Sequence, residues 1–406
     1  MYSSQTRPTS PHLLPAWEKQ DHTFSAAFSV LKDAISVRAF PAASIAVTHK
    51  ARLTALKAFG NFTYETNPKG AASLSPRPVR RQGGDFDSEV TPATLFDLAS
   101  LTKVVATTTT AAILYQRGLL ELDASILGVI PEFLVDSCGE VDPRRRDVTF
   151  RMLLAHSSGL PAYEKLFLKA HSRDDLLRAA FTMPLSADPG SRAEYSDIGF
   201  LILGAALERL AQEPLDIFCR REIFGPLAMT STAFKPPPAI RHQIPPTADE
   251  TGNDQTFRHR IIQGEVQDEN ASVLGGVAPH AGLFATAEDL ARFAHAMLSH
   301  GSPILRPETI ALFTRRESTP ASTTRALGWD TPSSPSQSGK YFGPASYGHL
   351  GYTGTSLWID PDRQLSITLL TNRTWPDCSN QAIKQVRPKF HDAVVEALIQ
   401  APTEPA

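Results

Sequence analysis

The chain has 406 residues, 42% hydrophobic and 20% charged, the balance of an ordinary globular protein long enough to build a core without disulfides or metals. Lys and Arg number 40 against 42 Asp and Glu, so there is no basic field to hold a nucleic acid and no acidic field to steer a cation. Cys138, Cys219 and Cys378 form no Cys-x-x-Cys pair, which argues against a zinc ribbon or redox motif; their odd number leaves at least one thiol free, in keeping with a reducing compartment.

Residues 1–23 read as a loosely ordered tail, and no basic n-region followed by an apolar h-region is visible in the first 25. No run approaches 18 apolar residues. The expectation is a cytoplasmic protein with no membrane or nucleic acid partner. Residues 24–36 carry apolar side chains at helical spacing. Residues 43–48 and 53–59, separated by His49-Lys50-Ala51-Arg52, read as a β-hairpin. Residues 67–92, rich in Pro, Gly, Ser and Arg, read as a long loop.

From about 104 to 235 the pattern is helical with short breaks, and 198–210 predicts a buried helix. A further helix is expected over 289–299, with Thr286 as its N-cap. Residues 355–359 and 365–370 look like neighbouring strands joined by Asp360-Pro361-Asp362-Arg363. A last helix is expected over about 380–399, interrupted near Pro388. This order implies an α/β protein of the α+β type: an antiparallel sheet (about 24–103 and 276–400) flanked by terminal helices, with an all-helical insert over about 104–275.

The standard nucleophile-elbow, phosphate-loop, zinc-protease and dinucleotide motifs do not occur. None of the 12 histidines pair at ligand spacing on a helix, so no metal or cofactor is expected. Ser-x-x-Lys occurs twice, at Ser29–Lys32 and Ser100–Lys103. Ser29 lies in the middle of the first amphipathic helix. Ser100 follows an apolar run and opens a helix extending to about Arg117, stopped by Gly118. There the helix start favours negative charge, and Lys103 shares the helix face with Ser100. A desolvated, neutral amine at that distance can take the hydroxyl proton. The four letters alone fit a polar N-cap followed by a surface lysine better than a catalytic pair.

Glu194-Tyr195-Ser196-Asp197 precedes the buried helix. Tyr195 could shuttle a proton there, or be a core tyrosine beside an N-capping Asp197. Gly348-His349-Leu350-Gly351-Tyr352-Thr353-Gly354-Thr355 opens a strand. It could free a backbone N–H as an oxyanion donor, or be a plain Gly-rich strand entry.

Together, Ser-x-x-Lys, Tyr-x-Asp and His-x-Gly in this order resemble the three motifs of the serine β-lactamase-related family: class C β-lactamases, serine D,D-peptidases and related esterases. The segment 153–161 (LLAHSSGLP) is similar to the family's LLxHxSGLP, and 264–271, 275–290 and Leu327-Gly328-Trp329 also fit. The resemblance spans roughly residues 24–400 and implies a single β-lactamase/transpeptidase-like catalytic unit. It implies Ser100 as nucleophile, Lys103 as its base, Tyr195 as proton relay, and the N–H groups of Ser100 and Tyr352 as the oxyanion hole. Asp197, His349 and Gly351 would contact substrate, and His156 would serve a turn or the core.

The sequence departs from the family pattern at three places. Asp197 stands where Asn is usual and can only accept hydrogen bonds. It also adds negative charge near Lys103, raising the lysine's pKa. His349 replaces the more usual Lys, and Gln267 stands where a His is frequent. These departures weigh against a β-lactamase, and with no signal peptide visible the expectation is a carboxylic-ester hydrolase acting on a small molecule. The alternatives are a β-lactamase, a D,D-carboxypeptidase or aminopeptidase-type amide hydrolase, and a non-catalytic binding protein on the same fold. Loops near 163–190 and 236–260 are expected to wall the pocket. The 32 prolines concentrate in the tails and in the 63–92, 236–256 and 316–344 loops, which marks surface insertions rather than domain linkers.

Overall fold

Lys50 and Ala51 both take positive φ, 49° and 60°, the geometry of a two-residue hairpin turn, and they join the two strands expected over 43–59. The computed structural model describes residues 13–64, 88–252, 257–299 and 303–400. Within it Leu14–Pro15 (β1), Ala42–His49 (β2), Arg52–Gly60 (β3), Tyr347–Leu350 (β4), Ser356–Asp360 (β5) and Leu365–Thr371 (β6) form one sheet. The strand order is β1-β3-β2-β6-β5-β4. Neighbours are antiparallel except β1 and β3.

Helices Ser25–Ser36 (α1) and Ile383–Gln400 (α5) pack together over one face of the sheet and Ala287–Leu298 (α4) over the other, while Thr109–Gln116 (α2) and Asp197–Ala211 (α3) pack against each other in the insert. Period-two alternation decides which side chains go where. Ala43, Ile45 and Val47 of β2 and Ile367 and Leu369 of β6 pack with Phe28 and Leu31 of α1 and Phe390 and Val394 of α5. Ala42, Ala46 and Leu357 join the larger core on the other face, with α2, α3 and α4. Each buried Leu, Ile or Phe contributes about 1.5–3 kcal/mol.

Residues 13–23 depart from the expected loose tail. Leu14 pairs with Arg52 and Pro15 with Leu53, and Gln20 Oε1 accepts the Leu56 N–H at 3.0 Å. The edge of β3 offers unpaired backbone groups that this segment satisfies, a long-range gain that composition does not encode. Residues 1–12 and most of the expected 67–92 loop lie outside the described residues.

The helix expected over 100–117 is π-helical over Lys103–Thr108 and α-helical over Thr109–Gln116, ending at Gly118 with φ +70°. Helix α3 is capped by Ser196, whose Oγ accepts the Gly199 N–H at 2.9 Å. Asp197, expected as a possible cap, is instead its first residue and is free to point elsewhere. Helix α5 continues through Pro388. Proline cannot donate to the carbonyl four residues back, and Gln337 Nε2 donates to that Lys384 carbonyl at 3.0 Å instead. The insert is mainly helical and adds short strands, Ala233–Phe234 against Leu283–Ala285 and Pro246–Asp249 against Ile261–Gln263.

Candidate active site

Ser100 follows a bent backbone. The strand Phe96–Asp97 pairs with Leu283–Ala285, then Ala99 takes φ +47°, a left-handed conformation that costs a non-glycine residue about 1–2 kcal/mol. Its N–H donates to Asp97 Oδ1 at 2.8 Å. The turn carries Ser100 past the end of the short strand to the entrance of the helix whose π-helical part starts at Lys103. Lys103, one coil on, reaches back to donate to Ser100 Oγ at 3.1 Å.

Lys103 is fully buried. Its Nζ also donates to the His280 carbonyl at 3.1 Å and lies 2.6 Å from Asp197 Oδ1. The rings of Tyr195 and Phe200 lie 4.8 and 5.5 Å from it. Burial pulls the lysine below its ordinary range, and the Asp197 carboxylate pulls the other way without cancelling it. The upward push expected from Asp197 is therefore real but loses to desolvation.

Tyr195 donates its hydroxyl to Ser100 Oγ at 2.8 Å. Burial, reinforced by the Asp197 charge, holds the phenol well above its usual pKa, so it keeps its proton. The ring is positioned by His156, 4.7 Å away, which also stacks on Phe200 at 5.0 Å. His156 Nδ1 accepts the Ser196 N–H at 3.0 Å, and its turn holds Glu194 through the His156 carbonyl at 2.8 Å.

The opposite wall is strand β4 and the turn after it. Thr353 Oγ1 donates to the Asp97 carbonyl at 2.7 Å and Thr355 Oγ1 to the Leu98 carbonyl at 2.9 Å. These bonds fasten the 351–355 turn to the residues just before Ser100. A Cβ on Gly351 would come 2.5 Å from the Leu98 carbonyl oxygen, so only glycine allows this approach. Among the described residues, neither the Ser100 nor the Tyr352 backbone N–H has a hydrogen-bond partner. Gly351 itself is committed: its N–H goes to Thr355 O at 2.8 Å, and its carbonyl accepts from Arg387 at 2.8 Å.

His349 is buried, and Nδ1 pairs with the Leu350 carbonyl at 2.8 Å. A carbonyl only accepts, so Nδ1 carries the proton and Nε2 keeps a lone pair. That Nε2 has no partner among the described residues. Burial lowers this histidine to about 4, so it is neutral at physiological pH.

These residues border a cleft of roughly 360 Å³ whose lining includes Ser100, Tyr195, His349 and Tyr352. Its remaining walls come from Arg325, Asp330, Arg373 and the start of α5, and none of the described residues of the expected 163–190 and 236–260 loops lines it, although Tyr163 stands near enough to feel the Asp197 charge. Sequence reasoning missed Arg325, which pairs with Asp330 and stands 5.4 Å from the Tyr195 ring; its nearness to Leu327-Gly328-Trp329 was the available signal. It also missed Arg373, whose guanidinium holds the Tyr352 carbonyl at 2.7 Å. Gln267 acts through its backbone, donating its N–H to Asp97 Oδ2 at 2.7 Å.

Fold and site together define a serine hydrolase of the β-lactamase and penicillin-binding-protein type. Residues 29–387 match the family model described as Beta-lactamase, and the chain belongs to that family. It is 32% identical to an N-acetylmuramyl-L-alanine amidase of Bacillus subtilis (strain 168), over 82% of this chain and 77% of the relative. A putative D-alanyl-D-alanine carboxypeptidase of Escherichia coli (strain K12) is also 32% identical, over 70% of each chain. Among solved structures, EstCE1, a hydrolase with promiscuous acyltransferase activity, superposes with a TM-score of 0.70 at 20% identity. That match covers 92% of this chain and 99% of EstCE1. Unliganded simvastatin synthase (LovD) from Aspergillus terreus reaches 0.68 at 18% identity, covering 93% and 99%. At these identities the structural likeness concerns the fold.

Proposed function

We propose that the protein hydrolyses small carboxylic acyl compounds through a covalent acyl-enzyme on Ser100, with esters as its first substrates. The observation that carries this reading is Ser100 Oγ held by both Lys103 and Tyr195 beside two backbone N–H groups that have no partner among the described residues. Loss of one proton from Lys103 leaves a lone pair facing Ser100 Oγ, and burial favours that form. The Ser100 proton passes to Lys103 as Oγ bonds to the substrate carbonyl carbon. The oxyanion forms between the Ser100 and Tyr352 N–H groups; a donor of this kind is worth about 3–4 kcal/mol. As the bond to the leaving group breaks, Tyr195 gives that group its proton and is reprotonated from Lys103. Water then attacks the acyl carbon, its proton leaving by the same relay, and Ser100 is released.

The ester preference rests on Asp197. Its carboxylate is engaged by Lys103 and has no donor to offer an acylamide side chain. His349, neutral in the cleft, supplies no fixed cation for a β-lactam carboxylate. The names of the curated relatives favour a second reading, cleavage of an amide or peptide bond.

A fluorophosphonate should label Ser100, as located by peptide mass spectrometry. Competing short nitrophenyl esters, a muramyl-L-alanine amide, a D-Ala-D-Ala peptide and a chromogenic cephalosporin against that labelling orders the substrate classes. No labelling at Ser100 would end the acyl-enzyme reading and leave a binding protein on this fold. Protection by the amides but not the esters would replace the first reading by the second.

A further inference from the structure

The left-handed Ala99 sets the direction of the Ser100 N–H, and Asp97 holds Ala99. The Asp97 carboxylate, 2% exposed, accepts the Ala99 N–H on Oδ1 at 2.8 Å and the Gln267 N–H on Oδ2 at 2.7 Å. Its own carbonyl accepts Thr353 Oγ1 at 2.7 Å. One residue thus ties three segments: the nucleophile turn, the turn that carries the Tyr352 N–H, and the 267–268 turn.

We infer that Asp97 is a positioning residue for the oxyanion hole, aligning the Ser100 and Tyr352 N–H groups while touching neither substrate nor reacting atoms. This rests on the acyl-enzyme reading of Ser100. A carboxylate suits the place because both its oxygens face donors; an amide would turn an NH₂ towards one of them. A protonated carboxyl has the same defect. Burial raises Asp97 to about 6, so the arrangement loosens as pH falls through that value. The charged side chains facing it are Asp268, which begins the short helix after Gln267, and Arg258, which donates to the Gln267 carbonyl at 2.7 Å. The paired strand brings Leu283, Phe284 and Ala285, and the facing turn brings Tyr352 as its one titratable side chain.

The test is steady-state kinetics on a nitrophenyl ester from pH 4.5 to 9, for wild type, Asp97→Asn, Ala99→Gly and the double variant. Displacing one oxyanion donor by an ångström lowers kcat by about 100-fold. Asp97→Asn is expected to lose that much in kcat with KM nearly unchanged, and to lose the inflection near pH 6. Glycine adopts positive φ without strain, so Ala99→Gly in the Asp97→Asn background should restore kcat several-fold. A folded Asp97→Asn enzyme with kcat within twofold of wild type, or no recovery in the double variant, overturns the proposal. If Asp97→Asn does not fold, a carboxyl ¹³C titration of wild type replaces it, and no Asp titrating near 6 alongside kcat overturns it too. Fluorophosphonate labelling keeps the readings apart: an unlabelled wild-type Ser100 defeats the acyl-enzyme reading, whereas equal labelling rates in wild type and Asp97→Asn defeat only this inference.

Discussion

Two stretches of this chain spell Ser-x-x-Lys at the same spacing on helical backbone, and they differ in everything else. Ser29 is exposed on α1 and donates its hydroxyl to the Ser25 carbonyl at 3.1 Å, a bond within its own helix. Lys32 points into solvent. At Ser100 the hydroxyl is the acceptor of two side chains. Lys103 is enclosed by a carboxylate, a carbonyl and two rings contributed by distant segments. In water, a lysine keeps its proton and a serine is a poor nucleophile; out of water, the balance between burial and neighbouring charge decides the lysine's state. The pattern becomes chemistry only where tertiary structure supplies a dry enclosure.

The widest separation between the two copies should come from serine itself. Ser100→Ala is expected to lower kcat/KM on a nitrophenyl ester by at least about 10⁴-fold, while Ser29→Ala stays within twofold. Equal effects would dissolve the distinction between the sites. Next comes the lysine. Lys103→Met removes the base and should lose about 10³-fold. It also strips Asp197 of its partner, lowering Tm, whereas Lys32→Met changes neither readout. An active Lys103→Met enzyme would move the base to another group.

Burial also gives two histidines of the active site, and His391 of α5 on the opposite side of the sheet, a pH-dependent stability that the exposed surface of α1 lacks. His349 falls to about 4, His391 to about 3 and His156 well below its ordinary value, each by desolvation. Unfolded, each binds its proton near 6.5. A lowered folded pKa means stability that is intact above 6.5 and lost as pH falls towards the folded value. For His349 this amounts to about 3 kcal/mol by pH 4. Asp97 runs oppositely, since its raised folded pKa favours the folded state as pH drops from about 6 to 3.8. Three histidines outweigh one carboxyl, so Tm should fall between pH 7 and 4.5, and His349→Gln should flatten that fall. A Tm that stays level would contradict the buried, neutral state of these rings, and Ser29 or Lys32 variants should leave the slope as it is.

Much of this was legible in the order of residues. Alternation gave the strands, helical spacing gave α1, α3 and α4, and the Ser100, Tyr195 and His349 motifs converge on one cleft because the family resemblance carried their spatial relation. What stayed hidden depends on contacts between distant segments. Nothing local to residues 13–23 announces a sheet edge waiting at β3. Arg325, Arg373 and Arg387 are single arginines in unremarkable loops or helix, until the fold aims them at the Tyr195 ring and the carbonyls of the 351–355 turn. Asp97 looked like one polar residue in an apolar run, and only the fold shows both of its oxygens receiving backbone N–H groups. The charge of Asp197 on Lys103 was legible from the sequence, but the direct pairing at 2.6 Å required the fold.

That ion pair offers the finest way to sharpen the contrast. In Asp197→Asn the carboxylate 2.6 Å from Nζ becomes a neutral amide, and the force holding Lys103 protonated disappears while burial remains. A base works only when unprotonated, so activity falls as pH drops through the folded pKa of Lys103. Removing the carboxylate lowers that pKa, and the acid limb assigned to Lys103 should move to lower pH by roughly one to three units. The plateau above it should change less than tenfold, because Tyr195 and the backbone N–H groups are untouched. Asp33→Asn, beside Lys32 on α1, should leave the profile where it was. An acid limb that stays in place would mean that Asp197 positions Lys103 without setting its charge. A limb displaced upward would contradict the assignment of that limb to Lys103, because removing a neighbouring carboxylate lowers an amine's pKa.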